Sequence, residues 1–129
     1  MDDDSPPEFI TIRTPGERVI VDVYQLALDL VEQVHTVLEA TTARFHLRDR
    51  LDRYVTQVAM RLARSQHELK TQRWRDYRDI VEHLTDVATM LDIVDRQKAS
   101  TATTELAQAR ALARRLIDSL LVDAQLGHA

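Results

Sequence analysis

A chain of 129 residues with 2 glycines, 3 prolines, no cysteine and 5% aromatics has room for one domain and too little turn chemistry for a sandwich or a doubly wound sheet. The missing cysteine excludes thiolate catalysis, zinc ribbons and disulfide scaffolds together. No signal-like segment or run of about 18 apolar residues occurs, so a cytoplasmic protein without a membrane span is expected. The formal charge of −4 is unevenly placed, since 10 basic residues face 4 acidic ones between positions 44 and 78, a net +6, and the rest of the chain sums to −10.

Residues 1–8 (MDDDSPPE) carry Asp2, Asp3, Asp4 and Glu8 with almost no apolar side chain to offset their ordering entropy. Phe9 to Thr14 alternates too briefly to define an element. Residues 1–13 are therefore expected as a disordered acidic tail and 14–129 as an all-α domain. Thr14-Pro15-Gly16-Glu17 has the letters of a capping box with proline at the first helical position.

The first helix is predicted over about 15–40. Its apolar residues cover an arc of about 220°, wider than the stripe one bundle core uses. The surplus predicts a subunit contact through Val19, Val23, Leu26, Leu30 and Val37. A second helix over about 46–69, a third over about 73–96 and a fourth over about 102–126 repeat apolar residues in steps of three and four, with Gly127 as a stop. Four such helices joined by short connections make an up-down-up-down four-helix bundle.

The second helix holds the most informative surface feature. Arg50, Arg53, Gln57, Arg61 and Arg64 fall on one flank about 80° wide, and His46 extends it at its start. Fifteen arginines against two lysines suit phosphate, because each guanidinium offers a planar fork of donors. Lys70, Arg73, Arg75 and Arg78 continue the basic block around Trp74 and Tyr77, aromatics that suit base stacking or, at their three-residue spacing, the core face. The same arginines also suit carboxylate partners in a neighbouring subunit or on the first helix, which offers Asp22, Asp29 and Glu32.

Catalytic constellations are sparse. A di-iron bundle needs two Glu-x-x-His pairs, and only Glu32 and His35 show that spacing, so no metal or cofactor is expected. The weak arginine-to-histidine spacing of HEPN-type ribonucleases occurs as Arg61 with His67 and Arg78 with His83, about as often as chance allows. No phosphate-cradling glycine loop or nucleophile triad is present, so neither an enzyme nor a small-molecule substrate is expected.

Tyr24-Gln25-Leu26 with Leu28, Leu30 and Val31, followed by Arg44-Phe45-His46-Leu47-Arg48-Asp49-Arg50-Leu51, resembles the accessory variability determinant proteins of bacterial diversity-generating retroelements. These belong with the four-helix bundles found in ribosomal RNA intervening sequences. The resemblance implies a non-catalytic subunit assembling as a homopentameric barrel that binds a reverse transcriptase and its template RNA or RNA/DNA hybrid. Arg44, Arg48, Arg50, Arg53, Arg61 and Arg64 are the matching basic positions. The alternatives from the residues alone are a protein-only interaction scaffold and a HEPN-like ribonuclease.

Overall fold

The computed structural model describes residues 9–14 and 17–127, with side-chain surroundings for 22–69 and 71–122. The acidic segment 1–8 lies outside the described residues. Two strands, β1 (Phe9–Thr14) and β2 (Glu17–Asp22), pair antiparallel with Phe9 opposite Asp22 and Thr14 opposite Glu17. Four helices follow: α1 (Val23–Glu39), α2 (Phe45–Ser65), α3 (Lys70–Arg96) and α4 (Thr103–Gly127).

The hairpin corrects two expectations at once: residues 9–13 are strand instead of tail, and the first helix begins at Val23, not near position 15. Val19-Ile20-Val21 explains why. Three consecutive β-branched residues lose rotamer freedom in a helix and favour an extended chain. The runs Phe9–Thr14 and Glu17–Asp22 pair as strands. Asp22 is the true cap. Its backbone is extended, and its Oδ1 accepts from the N–H groups of Tyr24 at 3.0 Å and Gln25 at 3.1 Å.

Each helix contributes a heptad seam. Val23, Ala27, Leu30, Val34 and Val37 on α1 are buried, as are Leu51, Val55, Val58 and Leu62 on α2. On α3 the series is Tyr77, Ile80, Leu84, Val87, Leu91 and Val94, and on α4 it is Leu106, Ala109, Ala113, Leu116 and Leu120. Alternating steps of three and four keep one narrow face toward the axis, which is the packing of a left-handed four-helix bundle. The helices form a ring in which each packs against its sequence neighbours and α4 closes against α1, while β1 lies on α4.

This core corrects the subunit contact expected from α1. Val23, Leu30 and Val37 are 0% exposed within one chain and are therefore unavailable to a partner. Leu26 is half-buried against the same core, together with Tyr24, Leu28 and Val31. The wide apolar arc is consumed by a central seam with a packed flank on either side. Val19 lies on β2, where its side chain falls outside the described residues.

One end of the bundle is stitched by its two loops. Thr42 N–H donates to the Ala99 carbonyl at 2.6 Å, Thr101 N–H donates to Ala40 at 3.0 Å, and Ser100 Oγ donates to the Val37 carbonyl at 3.0 Å. Helix α3 ends in a Schellman motif: Lys98 N–H donates to Asp95 at 3.1 Å and Ala99 N–H to Val94 at 3.0 Å, with Lys98 left-handed at φ 51°. Among the described residues, no helix is long and apolar enough to cross a membrane.

Candidate nucleic-acid interface

With Leu51, Val55, Val58 and Leu62 turned to the axis, helical geometry places Arg50, Gln57, Arg61 and Arg64 on the edge of α2 that borders α3. Arg50, Arg53 and Arg64 are exposed, and Arg61 is half-buried. Arg53 donates to Asp49 Oδ2 at 2.9 Å, one turn earlier on the same helix. Among the described residues, Arg50, Arg61 and Arg64 have no ion-pair partner. An exposed pair one helical turn apart is worth only about 0.3–0.5 kcal/mol, so Arg53 too can exchange its partner for a phosphate.

The remaining basic residues are dispersed. Arg44 precedes α2 and Arg48 borders the α1–α2 groove, both exposed. Arg75 and Arg78 are exposed on α3, and the Lys70 side chain lies outside the described residues. Arg73 is half-buried, with a guanidinium nitrogen 3.4 Å from the Glu68 carbonyl oxygen. Tyr77 is 0% exposed and Trp74 half-buried, so Tyr77 belongs to the core and cannot stack on a base.

Carboxylates do border the stripe, but they come from α3 and not from α1. Asp76 and Asp79, with Glu68 from the α2–α3 connection, share a groove of about 310 Å³ with Arg61 and Arg64. The side-chain hydrogen bond with Asp76, then burial and the Asp76 charge, push the Glu68 carboxyl above the ordinary carboxylate range, opposed by Arg64 and Arg73. Two carboxyls thus crowd together at the lower end of the stripe, where they compete with any incoming anion.

Farther up, the groove changes character. His46 and Arg50 form one wall, Asp86 and Thr89 the other, above a floor of Leu47, Tyr54, Met90 and Ile93, in a volume of about 440 Å³. Tyr54 also packs its ring against His83 at a centroid distance of 5.1 Å. Sequence spacing does not single out this groove. The signal available was the run Asp79, His83, Asp86, Met90, Ile93, which shares one edge of α3 by steps of three and four.

His35 Nε2 lies 2.9 Å from Asp52 Oδ1 across the α1–α2 interface. His83 sets its Nδ1 3.2 Å from the Asp79 carbonyl oxygen, and His67 stands exposed beyond the end of α2. Among the described residues, no group of three His, Asp or Glu side chains is placed to hold a metal ion. No family model, curated protein or solved structure matches the chain.

Proposed function

We propose that this protein is a non-catalytic accessory subunit that binds RNA along the α3-facing edge of α2 and serves a reverse transcriptase in a diversity-generating retroelement. The observation that carries the RNA contact is the set Arg50, Arg61 and Arg64, aligned on one edge and making no ion pair within 4.0 Å among the described residues, although Glu68, Asp76 and Asp79 border the last two. Such a ladder meets successive phosphates, and Arg53 joins it by releasing Asp49. The polymerase and the retroelement rest on the resemblance carried by residues 24–31 and 44–51. Assembly into a ring would multiply the weak affinity of one stripe without any new contact.

Four engaged arginines per protomer give a log–log salt slope of about −3 on single-stranded RNA. Replacing Arg50, Arg53, Arg61 and Arg64 together with Glu abolishes RNA retention while helicity and assembly mass stay unchanged. Should that variant lose its assembly instead, the arginines are junction residues and the RNA reading is wrong.

A second reading, a scaffold that meets only protein, draws on the acidic edge of α3, where Asp79 and Asp86 are exposed and Asp76 is half-buried. It predicts no RNA binding even at low salt and capture of a basic protein that Asp→Asn changes on this edge abolish.

A further inference from the structure

The upper α2–α3 groove differs from a plain phosphate track, and its two walls differ from each other. On the α2 wall Arg50 offers a guanidinium with no ion-pair partner among the described residues. On the α3 wall every polar group is an acceptor. Asp86 supplies a carboxylate, also without an ion-pair partner among the described residues, and Thr89 spends its hydroxyl proton on the Thr85 carbonyl at 2.9 Å, leaving lone pairs. Between the walls lie Leu47, the half-buried Tyr54 ring with its hydroxyl, Met90 almost buried and Ile93 38% exposed.

A second phosphate is excluded from such a slot, because Asp86 repels it. A duplex is excluded as well, since its base edges are paired and its rigid backbone presents mainly phosphate and hydroxyl to a helix edge. We infer that the groove is a slot for one unpaired nucleotide, with its phosphate on Arg50, its base lying on Met90 and Ile93, and the base's amino edge turned to Asp86 and Thr89. The volume of about 440 Å³ falls within the range of small-molecule sites and suits one nucleotide unit. This assignment rests on the RNA reading above and narrows it to single strands with a base preference.

The preference follows from donor chemistry. Cytosine and adenine carry an exocyclic amino group that donates to a carboxylate. Uracil presents a single ring N–H between two carbonyl oxygens, which a wall of acceptors repels. The slot therefore favours cytosine and adenine over uracil.

The test is fluorescence anisotropy of the full chain with labelled 12-mers of oligo(C), oligo(A) and oligo(U) and a 12-base-pair RNA duplex, in about 50 mM salt, where phosphate contacts are strong. Oligo(C) and oligo(A) are expected to bind about 5-fold tighter than oligo(U), an increment typical of one net hydrogen bond. The Asp86→Ala variant then binds oligo(U) more tightly than the parent protein and brings the ratio close to one, with only the Thr89 lone pairs left to discriminate. Arg50→Ala weakens all three single strands by the same factor. Equal binding of the three single strands by the parent protein, or a ratio untouched by Asp86→Ala, overturns the slot and leaves the RNA reading standing. Failure to bind any of the four nucleic acids overturns the RNA reading itself and the slot with it.

Discussion

Lys98 gives the sharpest stability test, because its conformation is expensive for the residue that holds it. It sits at φ 51° after the end of α3, where a Cβ clashes with the carbonyl that follows and costs an L-residue roughly 1 kcal/mol or more. The position is fixed by hydrogen bonds of 3.1 Å to Asp95 and 3.0 Å from Ala99 to Val94, and the next residues dock on the α1–α2 loop. Glycine removes the clash but gains freedom in the unfolded chain, which returns about half of the benefit. Lys98→Gly should therefore stabilise by about 0.5–1 kcal/mol, or roughly 2–4 °C in Tm for a domain of this size. Lys98→Val adds a branched Cβ to the same clash and should lose about 1 kcal/mol or more. Urea titrations followed by circular dichroism measure both, with m held constant as the control. Destabilisation by glycine, or a valine variant as stable as the parent protein, would refute the claim that left-handed strain at this turn limits the bundle.

Two further expectations concern charge. Glu68 binds its proton more tightly in the folded state than in the unfolded chain, so it opposes folding at neutral pH and the opposition fades as pH falls through its raised folded value. Glu68→Gln should accordingly be more stable than the parent protein at pH 7, with the gap closing as pH approaches 4.5; a gap that widens on acidification, measured by the same titrations, reverses the sign. Arg110 bridges α4 to α3 through Asp92 at 2.8 Å and Asp95 at 3.1 Å, and Arg110→Ala should cost about 1 kcal/mol in dilute buffer and less in 1 M NaCl. Arg114→Ala, more exposed and 3.7 Å from Asp92, serves as the near-silent comparison.

The helices were legible in the sequence because their signals are local and redundant. Steps of three and four recur through Leu51, Val55, Val58 and Leu62 and again through Ile80, Leu84, Val87 and Leu91, so a single misleading residue cannot erase the period. The hairpin was not legible, since Thr14-Pro15-Gly16-Glu17 satisfies a helix cap and a turn alike, and only the pairing of Phe9 with Asp22 decides between them. The arc on α1 was misassigned for a related reason. Periodicity gives the width of an apolar face but not the number of neighbours that share it. Between α2 and α4, Leu26, Leu28 and Val31 pack within one chain, with no second subunit required.

The candidate site shows where local patterning stops. The arginine stripe is a property of α2 alone and was readable as such, but its meaning depends on which helix borders it. In a four-helix ring a flank of α2 must border either α1 or α3, and the heptad phase set by Leu51, Val55 and Leu62 turns Arg50 and Arg61 toward α3. That choice replaces the expected acids of α1 with Asp76, Asp79 and Asp86. It also converts a uniform cationic ladder into a graded surface. At the lower end Glu68, Asp76 and Asp79 crowd Arg61 and Arg64, which weakens anion binding there. At the upper end Asp86 and Arg50 line one groove together with Leu47, Met90 and Ile93, so charge of both signs is presented there. A polyanion that binds by phosphate alone gains little from the second sign, whereas a strand with unpaired bases gains from both. On the proposed RNA reading, the acidity of α3 does not argue against a nucleic-acid role; it would select among nucleic acids, favouring those whose bases are free to turn away from their backbone.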